Sequence, residues 1–161
     1  MRTTHESEFV SFVADASPRL LTTAWMLTGE PGSAEDLVQE ALERVYVRWA
    51  KVRTGNPTAY ARKILANLHT DRWRKHGREV LTDSVPEHAR RASGDDHIDL
   101  VRALQSLPNR ERECVVMRHY LDLSEQQTAE TLGVSLGTVK SSTSRGLAGL
   151  RTLLLEEGTH V

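Results

Sequence analysis

The stretch "LGVSLGTVKSSTSRGLAGLR", residues 132–151, decides how the chain is read. Gly133 supplies the positive φ of a tight turn, and Ser135 stands where a helix N-cap belongs. Just upstream, Ser124 and Gln127 make a capping box that opens a short helix through Leu132. Small Ala129 lets the two helices approach, and Val134 and Val139 pack beneath them. The spacing from Gln126 to Lys140 is that of a helix-turn-helix. Its second helix, capped by Ser135, presents Thr138, Lys140, Ser141, Ser144 and Arg145 to a major groove. Helix N-terminal amides, Lys and Arg suit phosphates, while Arg, Ser and Thr can reach base edges. The plainer reading is a helical hairpin with Lys140 and Arg145 merely solvated.

Outward from that stretch the pattern stays helical. Apolar residues recur three and four apart, with no strand alternation. Phe9, Phe12, Val13, Leu20, Leu21, Ala24 and Leu27 form a first stripe, with a restart or kink expected at Pro18. After the turn at Gly29–Gly32, Ser33 reads as an N-cap with Asp36 completing a capping-box variant. Val38, Ala41, Leu42, Val45 and Trp49 line the buried side of that second helix. Asn56-Pro57 opens a third helix, and Gly77 stops it. Leu100, Ala103, Leu104 and Leu107 begin a further unit, broken at Pro108. The expected fold is all-α: two small helical domains, 1–78 and 98–161, joined by a flexible linker, 79–97. Four short helices make a marginal core in the second domain, so it is expected to lean on a partner.

The formal net charge of -1 argues against nucleic acid until it is located. Residues 1–78 hold twelve basic and nine acidic groups, and the acids gather in "EPGSAEDLVQEALE" while the bases gather in "YARKILANLHTDRWRKHGR". Local surfaces, not net charge, choose partners. On the acidic helix, Asp36, Gln39, Glu40 and Glu43 share one side, which suits a basic protein surface and repels phosphate. On the basic helix, Arg62, Lys63, Arg72, Arg74 and Lys75 interleave with Tyr60, Asn67 and Trp73. Such a helix can hold a phosphate backbone while its rings stack on unpaired bases. The alternatives are a solvated acidic face, and aromatics that belong to the core.

Cys114 is the only cysteine, which excludes an internal disulfide and a cysteine-rich zinc site. No signal peptide or membrane-spanning run is read, so a cytoplasmic protein without membrane insertion is expected. A metal-dependent enzyme has little support: "DDHID" (Asp95–Asp99) offers ligand types, but the seven histidines are scattered. No catalytic residue, metal or cofactor is expected.

Four segments, "AEDLVQEALERVY", "ARKILANLHTDRWRK", "LPNRERECVVMRHYLDLSEQQTAETLGVS" and "GTVKSSTSRGLAGLR", resemble the extracytoplasmic-function sigma factors of the bacterial sigma-70 class. They stand in family order and cover nearly the whole chain. The resemblance implies that Asp36, Gln39, Glu40 and Glu43 dock on the clamp helices of the RNA polymerase β′ subunit. It implies that Thr54, Gly55 and Asn56 lie in a loop capturing an extruded base of the −10 element. Asn67, Arg72, Arg74 and Lys75 would line the same DNA. The second domain would read the −35 element while held by the β flap, and the acidic linker (Asp83, Glu87, Asp95, Asp96) would thread the polymerase channel. Members are commonly held inactive by an anti-sigma partner. Two departures stand out: Tyr60 replaces the family's tryptophan, and Ser142, Gly146 and Ala148 occupy positions where relatives often carry arginine. Fewer cations imply weaker, less salt-sensitive −35 binding. Arginine far outnumbers lysine, which points to a GC-rich genome, and with the "GTVKSSTSRGLAGLR" variant the resemblance implies an actinobacterial source. The competing function is a stand-alone helix-turn-helix regulator, which predicts dimers on a palindromic operator.

Overall fold

The computed structural model describes residues 2–76 and 95–158. Gly77 as helix stop, Arg78, and residues 79–94 of the expected linker lie outside the described residues. Among the described residues eight helices follow one another: α1 (Arg2–Thr28), α2 (Pro31–Val47), α3 (Trp49–Val52), α4 (Pro57–His76), α5 (Asp95–Gln105), α6 (Asn109–His119), α7 (Glu125–Leu132) and α8 (Leu136–Gly158). No strand occurs among the described residues.

Two local expectations are corrected. Pro18 neither restarts nor ends α1, which runs unbroken past it. Pro18 is exposed, so the lost backbone hydrogen bond falls on the solvent side while Leu20, Ala24 and Leu27 stay packed inward. The cap of α2 is Glu30 rather than Ser33. The Glu30 carboxylate accepts from the Gly32 and Ser33 amides, both at 2.9 Å, and from the Ser33 hydroxyl at 2.5 Å. Pro31 then takes the first helical position, where its missing N–H costs nothing and the carboxylate offsets the helix dipole.

Other local readings hold. Asn56 caps α4 through Oδ1, which accepts from the Ala59 amide at 3.1 Å. The capping box of Ser124 and Gln127 is complete. Gly133 ends α7 in the left-handed region at φ 68, which a side chain would disfavour. The hydroxyl of Ser135 accepts from the Thr138 amide at 3.1 Å and starts α8.

The first half packs α1, α2 and α4 around Leu27, Leu37, Val45 and Leu65. Trp49 falls on α3, past the end of α2, where its ring meets Phe9 and Phe12 at centroid distances of 5.2 and 5.3 Å. Its indole donates to the His5 carbonyl at 2.8 Å. Beside it, Arg53 grips Glu8 with two hydrogen bonds, at 2.6 and 2.9 Å. That contact, above all the Arg53 hydrogen bond, holds the Glu8 carboxyl below the usual carboxylate range. A lowered folded value stabilises above the unfolded one, about pH 4.3, and the gain is lost as pH falls through the folded value. Denaturation midpoints measured between about pH 6 and 3 should therefore show a Glu8→Gln variant with a shallower acid-side decline.

The second half is built on α6 against α8, with α7 laid on α8. It does lean on something, and that something is the first half. α5 and α6 pack on α1, α7 meets α4, and one buried cluster runs through both halves.

Candidate nucleic-acid interface and the acidic ridge

On α2, Leu37, Val38, Ala41 and Val45 point into the core, so the helical period turns Asp36, Gln39 and Glu43 to solvent. Glu40 shares that ridge but is half-buried, because Arg72 of α4 hydrogen-bonds its Oε2 and Arg44 reaches its Oε1 at 3.3 Å. The Arg72 hydrogen bond is the main reason the Glu40 carboxyl lies below its ordinary range. The predicted polymerase-docking ridge and the predicted DNA helix therefore touch through one ion pair.

The predicted residues of α4 do not form one surface. Lys63, Asn67 and Arg74 are exposed and, with half-buried Tyr60, follow the three-and-four spacing along one side. Arg62, His69 and Trp73 follow the same spacing on another side, which faces the second half. Arg72 points a third way, to Glu40. Lys75 is exposed near the helix end. Trp73 is 47% exposed, so it is a surface ring rather than a core residue.

The loop before α4 leaves Thr54, Gly55 and Asn56 exposed. The Asn56 side-chain oxygen is engaged in the cap, and Thr54 Oγ1 donates to the Lys51 carbonyl at 3.3 Å. What these residues can still offer an extruded base is the Asn56 amide nitrogen and the open side of the turn.

On α8, Lys140, Ser141, Ser144 and Arg145 are exposed and Thr138 is half-buried. Ser135 and Thr138 also bind each other, hydroxyl to hydroxyl at 2.9 Å, which fixes both at the helix start. Val139 is fully buried, as the helix-turn-helix reading requires. Of the three positions where arginine was missed, only Ala148 is exposed; Ser142 and Gly146 are buried. A Cβ on Gly146 would sit 2.6 Å from Val115 Cγ2 and 3.0 Å from the Glu111 carbonyl. Ser142 and Gly146 therefore face the packed interior, and an arginine at either would not reach the exposed side of α8.

Sequence reasoning missed the seam between the halves. Arg62 Nη1 donates to Asp122 Oδ2 at 3.0 Å, and Gln105 Nε2 donates to the Met26 carbonyl at 2.8 Å. His69 Nε2 lies 3.5 Å from Glu113 Oε2, both side chains nearly sealed from solvent. Arg112 is buried beside them, and burial pulls its guanidinium below its usual pKa. Nothing local marks these residues, because each pair joins helices distant in the chain.

The sigma-70 region 2 family model matches residues 12–79, and the sigma-70 region 4 model matches residues 97–150. The RNA polymerase sigma-E factor of Streptomyces coelicolor is 37% identical over 92% of this chain and 86% of its own. The ECF RNA polymerase sigma factor EcfG of Rhodopseudomonas palustris is 31% identical, covering 89% and 83%. This chain belongs to the ECF sigma factors.

The fold agrees. The sigma factor RpoE of Bartonella quintana, solved in complex with the anti-sigma factor NepR, superposes with a TM-score of 0.67. It is 30% identical and covers 91% of this chain and 96% of its own. In this sigma factor most of α1 and all of α2 to α4 fall within the region 2 match, and most of α5, all of α6 and α7 and most of α8 within the region 4 match. The actinobacterial expectation has its counterpart in the Streptomyces relative. No described helix is long and apolar enough to cross a membrane.

Proposed function

We propose that the chain acts in the cytoplasm as a promoter-specificity subunit, with nucleotidyl transfer left to the polymerase. Residues 1–78 would grip the clamp and open the −10 element, 98–161 would read the −35 element against the flap, and 79–97 would lie between. The exposed acids of α2 suit a basic clamp surface and the exposed cations of α4 and α8 suit DNA. The observation that carries this reading is their coexistence. An acidic ridge gives a lone repressor nothing, and it abuts a DNA-type helix through Arg72 and Glu40. An anti-sigma partner belongs to the same reading, since the Bartonella relative was solved with one.

Tyr60, Lys63, Asn67 and Arg74 are the side of α4 assigned to the melted strand. Run-off transcription with core enzyme on a promoter library tests the whole reading. Within it, Lys63→Ala combined with Arg74→Ala should lower open-complex formation about tenfold or more near physiological salt. The slope of log affinity against log salt should shallow by about 0.7 for each lost phosphate contact. Unchanged strand opening by permanganate footprinting would remove α4 from the promoter.

A further inference from the structure

The first turn of α8 holds a side chain that the fold does not use. Leu136 is 45% exposed, at the first helical position after the Ser135 cap. It belongs neither to the buried cluster nor to the half-buried apolar residues packed against that cluster. A hydrophobic staple at a helix start joins the residue before the cap to the fourth helical one. Here those residues are Val134, packed on the core, and Val139, fully buried. The staple is complete without Leu136, and the cap is made by the Ser135 and Thr138 hydroxyls.

Gly137 beside it has no internal reason to be glycine either. A Cβ there would meet nothing closer than the Ser135 hydroxyl oxygen at 3.9 Å, so packing leaves room for a side chain. Gly146 of the same helix is the opposite case, closed in by Val115 and Glu111. Glycine is disfavoured in a helix but lets another molecule approach the backbone closely. Leu136 and Gly137 together give the tip of α8 an apolar, uncharged and shallow surface.

What that surface fits follows from its place. Leu136, Lys140 and Ser144 stand four apart along one exposed strip of α8. In a helix-turn-helix the N-terminal residues of the second helix reach base edges in the major groove. The apolar group among those edges is the C5 methyl of thymine, and an apolar side chain is its match. A protein partner fits less well, because the strip continues with a cation and a hydroxyl, and one leucine is too small a patch for a stable interface.

We propose that Leu136 is a specificity-determining residue of the −35 reader, which lays its side chain against the methyl group of a thymine. This rests on α8 reading the −35 element, and it adds the base selected there: an A·T pair under the tip of the helix.

Holoenzyme and a promoter fragment that it transcribes provide the test. Each thymine of the −35 element, on both strands, is replaced in turn by deoxyuridine, which pairs identically and lacks only the methyl group. For the wild type, one such replacement should weaken binding about fourfold, the worth of one buried methyl. Leu136→Ala should weaken binding to the unmodified promoter by at least about that factor and be indifferent to the same replacement. Its salt slope should match the wild type, because no phosphate contact is lost. Alanine is the better helix former, so Leu136→Ala should melt at or above the wild-type midpoint, which excludes a lost fold as the cause. Lys140→Ala, in contrast, should weaken binding to every fragment and shallow the slope by about 0.9.

Leu136 loses this role if no deoxyuridine replacement distinguishes Leu136→Ala from the wild type, or if the −35 element contains no A·T pair. Lys140→Ala separates the two ways of failing. If it weakens binding while the replacements do nothing, α8 reads the −35 element without Leu136. If it too leaves binding unchanged, the −35 assignment itself falls, and the leucine with it.

Discussion

Reversing Asp36 and Glu40 together to lysine should weaken binding to core RNA polymerase by more than about a hundredfold. Asp36 is exposed on α2, and the core beneath it is closed by Leu37 and Val38, so the substitution leaves the helix packed. Truncating one partner of a desolvated charge pair at an interface costs about 2–5 kcal/mol, and reversal adds repulsion to that loss. Glu40 differs, because it also neutralises Arg72 and Arg44. Reversing it frees two arginines beside a new lysine and loosens α2 from α4. Asp36→Lys alone is therefore the cleaner probe of docking, and the pair is the larger effect. Pull-down with core enzyme, alongside circular dichroism, separates lost docking from lost fold. Assembly within a few-fold of wild type, with helicity intact, would sink the clamp assignment and leave the helix-turn-helix to another type of regulator.

Installing arginine at Gly146, as the sequence resemblance invites, should unfold the second half rather than strengthen DNA binding. Position 146 faces α6, and even a methyl group there would sit 2.6 Å from Val115. Glycine inside a helix is disfavoured by about 1 kcal/mol relative to alanine, so Gly146→Ala would stabilise α8 if space allowed. Space does not allow it, and overpacking of this kind costs about 1–3 kcal/mol. Arginine adds a long charged side chain at a position already closed by Val115 and by Glu111, whose Cβ would lie 3.3 Å from the new Cβ. Thermal melting should show Gly146→Ala destabilised and Gly146→Arg far more so, while Ala148→Arg, at an exposed position, melts near the wild type. A Gly146→Arg variant as stable as the parent would mean that α8 is rotated from the position described.

The comparison of Gly146 with Ala148 also shows where sequence reading stops. Both read as missing cations, because a helix period places them without saying which neighbour each one meets. Val115 and Glu111, which decide the matter, lie some thirty residues away. The same limit explains α4. Its composition announced a nucleic-acid helix, yet three directions of side chain only separated once Glu40, Asp122 and Glu113 were in place around it. Pro18 and Ser33 erred for a smaller reason. Pro18 weighs one lost hydrogen bond against a long packed face, and the face prevails. Ser33 lost the cap to Glu30, whose longer carboxylate reaches back over Pro31 to satisfy two amides at once.

What the sequence alone determined are the features set within a few residues. These are the all-helical period, the caps at Asn56, Ser124 and Ser135, the left-handed Gly133 and the segregation of acid from base. Each depends on backbone hydrogen bonds or side-chain spacing that one short stretch satisfies by itself. Only the tertiary structure decided which cations are exposed, which are spent on carboxylates, and that the two halves share one buried core. Those facts depend on contacts between residues far apart in the chain, and no local pattern encodes which distant carboxylate an arginine will find.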